Sequence, residues 1–131
     1  MTWDERIRKE LELVERRHGP LEVDEDLRWL VVKEFPLPRG WNREATWVVI
    51  LAPPGYPTTP PDNFYTDPEL RLANGASPSN TSGIQEHAGR RCLMFSYHVE
   101  SGDWKPHADI ESGHNLLTYL EGVAKRLSEA D

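Results

Sequence analysis

The chain has a single cysteine, Cys92, among 131 residues. One thiol excludes an internal disulfide, and a lone cysteine without an export signal points to a cytoplasmic protein. Long apolar runs are also missing. None approaches the ~18 residues that span a bilayer, and the charged start MTWDERIRKE has no signal-peptide apolar core. Positive charge is in deficit. The 15 Lys and Arg stand against 22 Asp and Glu, for a net charge of −7, which argues against nonspecific binding to nucleic acid or to an anionic membrane. Paired metal-ligand spacings are absent too. Cys92, His98, His107 and His114 are irregularly spaced, with no C-x-x-C or H-x-x-x-H pair, which argues against zinc. Nothing in the sequence calls for a cofactor. The length suits one domain, residues 1–131.

What is present reads as an α+β chain. Thr2 to His18 has helical periodicity, with Trp3, Ile7, Leu11 and Val14 on one stripe. Thr2 and Glu5 have capping-box spacing, and Gly19-Pro20 ends the run. Glu5/Lys9 and Glu12/Arg16 stand one turn apart on the wet side. From Leu21 the period becomes two. RWLVVKEF predicts Trp29, Val31 and Phe35 on one strand face, with Leu30 and Val32 on the other. LPRGW is a turn, and ATWVVILA, nearly all apolar, predicts a central strand covered on both sides. Phe64 and Tyr65 start a short further strand. Short turns between these strands predict an antiparallel meander packed on the first helix. A last helix is predicted over Gly113 to Ser128, with Ser112 as its N-cap and Leu116, Leu120, Val123 and Leu127 on its apolar stripe.

Two segments fit neither period. LAPPGYPTTPPDNFY follows directly on the central strand, and its prolines cannot donate to a ladder. Asp67 to Arg91 is rich in Gly, Ser, Asn and Pro and reads as a long loop ending on Cys92. A proline-stiffened segment gives such a loop a rigid mount.

These pieces resemble the ubiquitin-conjugating enzyme superfamily, and the likeness is colinear over nearly the whole chain. RIRKELELV at Arg6 to Val14 is similar to the family's first-helix pattern RIxKELxxL, with Val14 at the last position. Tyr56, Pro57, Pro60 and Pro61 match YPxxPP. Cys92 and Leu93, then Trp104 and Pro106, match the catalytic Cys-Leu and the later W-x-P. The resemblance implies a ubiquitin-conjugating-enzyme-like fold: N-terminal helix, antiparallel β-meander, long active-site loop, C-terminal helix. It implies that Cys92 carries a ubiquitin-like modifier as a thioester, received from an activating enzyme and passed to a target protein. It also implies that Tyr56, Pro57, Pro60, Pro61, Trp104 and Pro106 scaffold the site, and that Arg6, Arg8 and Lys9 dock the activating enzyme.

The chain departs from the family at one functional motif. The usual His-Pro-Asn before the cysteine is replaced by TSGIQEHAG, and Ile84 stands where the asparagine would fall. This looks like a short, divergent form, similar to bacterial relatives found beside an activating enzyme, a ubiquitin-like protein and a metal-dependent isopeptidase. The oxyanion donor or base is then open between His98, Asn80 and His87, and Asp103 or Asp109 could orient the acceptor. Arg90 and Arg91 predict an exposed thiol of lowered pKa. A thiol that is only a small buried hydrophobe would instead leave a non-catalytic binding or scaffolding module of the same fold.

Overall fold

The computed structural model describes residues 1–100 and 102–129. Helix α1 (Trp3–His18) leads into strands β1 (Leu21–Val23), β2 (Trp29–Pro36), β3 (Ala45–Leu51), β4 (Phe64–Thr66), β5 (Thr81–His87) and β6 (Arg90–Phe95). A 3-10 turn (Ile110–Ser112) precedes helix α2 (Leu116–Leu127). The strands form one antiparallel sheet in the order β1-β2-β3-β4-β6-β5. The meander, the first helix and the last helix stand as the sequence predicts.

The Thr2 hydroxyl accepts from the Glu5 amide at 3.1 Å and caps α1. Ile7 and Val14 are buried on the sheet, while Trp3 and Leu11 are only partly covered. β3 is buried on both faces, with Val48 and Ile50 in the main core and Val49 on the opposite side. The two helices therefore cover one face of the sheet. The other face carries a second, smaller cluster of Val31, Val49, Tyr65 and Cys92, flanked by Trp29, Trp47, Leu51, Ala88 and Met94.

Three local expectations are corrected. In β2, Phe35 joins Leu30 and Val32 in the main core rather than Trp29 and Val31, because a bulge between Val32 and Phe35 reverses the alternation. The helix α2 begins three residues later than its periodicity predicts. Asn115, not Ser112, is the N-cap, in a reciprocal capping box with Thr118. Gly113 lies outside the helix because the chain passes so close to the Trp104 segment: a Cβ there would stand 2.6 Å from the Lys105 carbonyl oxygen. The stretch from Asp67 to Arg91 is not loop throughout. Its second half is β5, an edge strand whose middle side chains are all exposed. Its first half is pinned by buried Leu70 and by the Trp41–Leu72 bridge.

Candidate functional site

The first site element is built on α1. Glu10 is fully buried. One carboxylate oxygen accepts from Arg6 Nε at 2.7 Å, and the other accepts from the Tyr56 hydroxyl and, at 2.7 Å, from the Leu116 amide at the start of α2. Arg6 also donates to the His107 carbonyl at 2.7 Å. A single carboxylate thus ties together α1, the tyrosine of YPTTPP, the segment after Trp104, and an otherwise unsatisfied helix amide. Burial, with the Glu10 charge alongside, pushes the Tyr56 hydroxyl far up from its ordinary pKa.

This arrangement corrects the docking expectation for Arg6. It is 7 % exposed and held by Glu10 and His107, so it offers no free cation to a partner. Arg8 and Lys9 are exposed on the far side of the helix. The i,i+4 ion pair on α1 is the buried Arg6–Glu10 pair.

The two scaffold motifs meet directly. Trp104 Nε1 donates to the Pro57 carbonyl at 2.7 Å, and its ring lies 6.1 Å from that of Tyr56 and stacks on His114 at 5.3 Å. Tyr56 and Trp104 are buried, and so is Pro61, whereas Pro57, Pro60 and Pro106 are half-buried.

Cys92 lies on β6, three residues past the β5–β6 turn. Ala88 and Gly89 both have positive φ, at 55° and 71°, as a tight two-residue hairpin turn requires. The turn sets the register. His87 pairs with Arg90, Gln85 with Cys92, and Ile84 with Leu93. Strand alternation sends Leu93 into the main core and Cys92 to the other face.

That face is not bare, and the expectation of an exposed thiol of lowered pKa is overturned. Cys92 is 0 % exposed. Its Sγ donates to the carbonyls of Arg90 at 3.4 Å and His87 at 3.7 Å. Burial raises its pKa, outweighing the His87 hydrogen bond and the Arg90 charge, both of which act to lower it. Nor is Arg90 a free cation. Its Nη2 lies 2.9 Å from both carboxylate oxygens of Glu22, and its guanidinium sits 5.0 Å from the Trp47 ring centre. Arg91 is exposed and alternates away from Cys92.

The candidate auxiliary residues are scattered. Asn80 is exposed, and its carbonyl accepts from the Ser96 amide at 2.8 Å. Ser96 is four residues past Cys92, about 13 Å along an extended strand. His98 is exposed and paired with Asp62 through Nδ1. It lies three residues beyond the end of β6. Asp109 accepts from the Ser112 hydroxyl at 2.8 Å, and the Asp103 amide donates to the Glu100 carbonyl.

His87 is the histidine that the fold brings to the thiol. Its carbonyl accepts from Sγ, its ring packs on Tyr65 at 4.3 Å, and its Nε2 lies 2.9 Å from Gln85 Oε1. Burial lowers its pKa. The signal was in the sequence: HAGR is a two-residue turn between paired residues, and Cys92 follows it by two positions. Among the described residues, no group of three or more His, Cys, Asp or Glu is placed to hold a metal, and no helix is long and apolar enough to cross a membrane.

An N-terminal helix, an antiparallel six-stranded sheet and a C-terminal helix, locked by YPTTPP against W-x-P with a cysteine on the sheet, define a ubiquitin-conjugating-enzyme-like domain. Comparison with known families agrees. The sequence model described as Prokaryotic E2 family E matches residues 9–130, and the chain belongs to that family. No curated protein and no solved structure matches the chain.

Proposed function

We propose that the protein carries a ubiquitin-like modifier as a thioester on Cys92. The thiol attacks the thioester carbonyl that joins the modifier to its activating enzyme. A new carbon–sulfur bond forms, the bond to the enzyme's thiol breaks, and the Cys92 proton passes to the departing sulfur. A target nucleophile then attacks the Cys92 thioester and releases the thiol. The supporting observation is the place of the chain's one thiol. Cys92 stands just past a tight turn, in a sheet whose entry and exit are fixed by the Trp104–Pro57 hydrogen bond and by Glu10. Membership of the family supports a role in ubiquitin-like conjugation.

The test is charging. With activating enzyme, modifier and ATP, the protein gains one modifier mass, and a thiol reductant removes it. Cys92→Ser gives a longer-lived oxyester and Cys92→Ala gives nothing. Absence of any adduct overturns the reading.

A second reading has its own observation. The burial of Cys92 and its raised pKa suit a binding or scaffolding module that recognises the modifier or its activating enzyme without chemistry. It requires undiminished binding by Cys92→Ala together with no adduct on the wild type.

A further inference from the structure

Arg90 and Cys92 stand two positions apart on β6 and so share one face of the sheet. Arg90 does not extend into solvent. It lies over Trp47 of β3 and ends on Glu22 of β1, at the far edge of the sheet. Trp47 flanks the cluster in which Cys92 is buried. Glu22 meets the side chain of Arg90, whose carbonyl accepts from the thiol, and so fixes the arm that crosses this face.

We propose that Glu22 and Arg90 form a clasp that holds Cys92 closed, with Glu22 as a positioning residue acting through Arg90. Release of Glu22 frees the arm, uncovers the thiol and leaves an unpaired guanidinium beside it. The change that exposes Cys92 therefore also supplies the cation that favours its thiolate. Arg90 is 27 % exposed and Glu22 41 % exposed, so water and salt screen the pair, and it can open without unfolding the domain. The inference rests on the reading of Cys92 as the acyl carrier, but its test uses neither modifier nor activating enzyme.

Cys92 is the sole cysteine, so alkylation by iodoacetamide, followed by intact mass, reports on it alone. Glu22→Gln is expected to speed alkylation about threefold to fivefold, the scale of a partly exposed ion pair. Raising salt to about 1 M should speed the wild type and leave Glu22→Gln nearly unchanged. The exchange of Glu22→Arg with Arg90→Glu should restore the slow rate, because the pair is re-formed with its charges reversed. Arg91→Ala, on the opposite face, should match the wild type.

A pH profile separates opening from simple charge removal. The titratable groups beside the thiol are His87, Tyr65 and Arg90, and Glu22 acts through Arg90. Opening raises the alkaline plateau of the rate, whereas loss of a negative charge moves only the midpoint. An unchanged plateau in Glu22→Gln, or a rate that rises with urea along the full unfolding slope, overturns the clasp. Failure of charging with these results intact would remove the thioester reading and leave the clasp standing.

Discussion

Glu10 and Cys92 are both fully buried, and their surroundings are opposites. Glu10 lies on the helix-covered side, where Arg6, Tyr56 and the Leu116 amide supply donors to both carboxylate oxygens. Cys92 lies on the other face, where its partners are two carbonyls at long range and the nearest cation is already paired. A buried charge held by several donors fixes structure, because removing it strands every partner. A buried thiol with weak partners contributes little and has more to gain from exposure. On the proposed reading, the same degree of burial marks a structural joint in one place and a reactive group under cover in the other.

The comparison breaks most directly at Glu10. Glu10→Ala strands the Arg6 guanidinium, the Tyr56 hydroxyl and the Leu116 amide together. It should cost roughly 3–5 kcal/mol of unfolding free energy, the range for breaking a buried ion pair. Urea denaturation measures it, and a loss below about 1 kcal/mol would remove Glu10 from the centre of the fold.

Next in size is the joint between the two motifs. Trp104→Phe keeps the ring against Tyr56 and His114 but deletes the donor to Pro57. A loss of about 1–2 kcal/mol is expected. Charging of Cys92 should slow as well, since the mount loosens. Unchanged stability would mean that the indole nitrogen is not needed to lock YPTTPP.

Cys92→Ala sharpens the contrast from the other side. It removes one sulfur from the smaller cluster and should cost only about 1 kcal/mol, the scale of a small core truncation, while abolishing the thioester. A loss as large as that of Glu10→Ala would make the thiol a structural group.

How much of this could be read beforehand depended on what kind of pattern carried it. Trp3 to Val14, β3 and α2 repeat with helical or strand period over many residues, and these elements stand where periodicity puts them, apart from the later start of α2. β5 had no such signal, because an exposed edge strand containing Gly83 buries no face and shows no apolar alternation. The bulge after Val32 reversed the face of Phe35, since a period of two cannot register an extra residue. Arg6 and Glu10 look like surface charges in sequence. Their burial follows from Tyr56 and Leu116, which are 46 and 106 residues away from Glu10. Cys92 was legible as a candidate from its neighbours Leu93, Trp104 and Pro106. Its burial was not, because Val31, Val49 and Tyr65, the residues clustered with it, stand on other strands.

The smallest expected effect is on the pH dependence of stability, and it follows from the raised pKa of Cys92. The unfolded thiol titrates near its ordinary value of about 8.5, and the folded thiol titrates higher. Below that value both states hold the proton, and the contribution of Cys92 is fully present. Above it the unfolded chain releases its proton first, so it binds fewer protons than the native state and stability falls as pH rises toward the folded pKa. Tyr56 and Tyr119 are pushed upward as well and act in the same direction at higher pH. They are common to the wild type and to Cys92→Ala, so they cancel in the difference between the two. Urea denaturation of both proteins at several pH values from about 7 to 10 isolates the thiol. The stability advantage of the wild type should shrink steadily above about pH 8.5. A difference that stays flat or grows would mean that the thiol is not held protonated by burial, and the contrast with Glu10 would lose its electrostatic half.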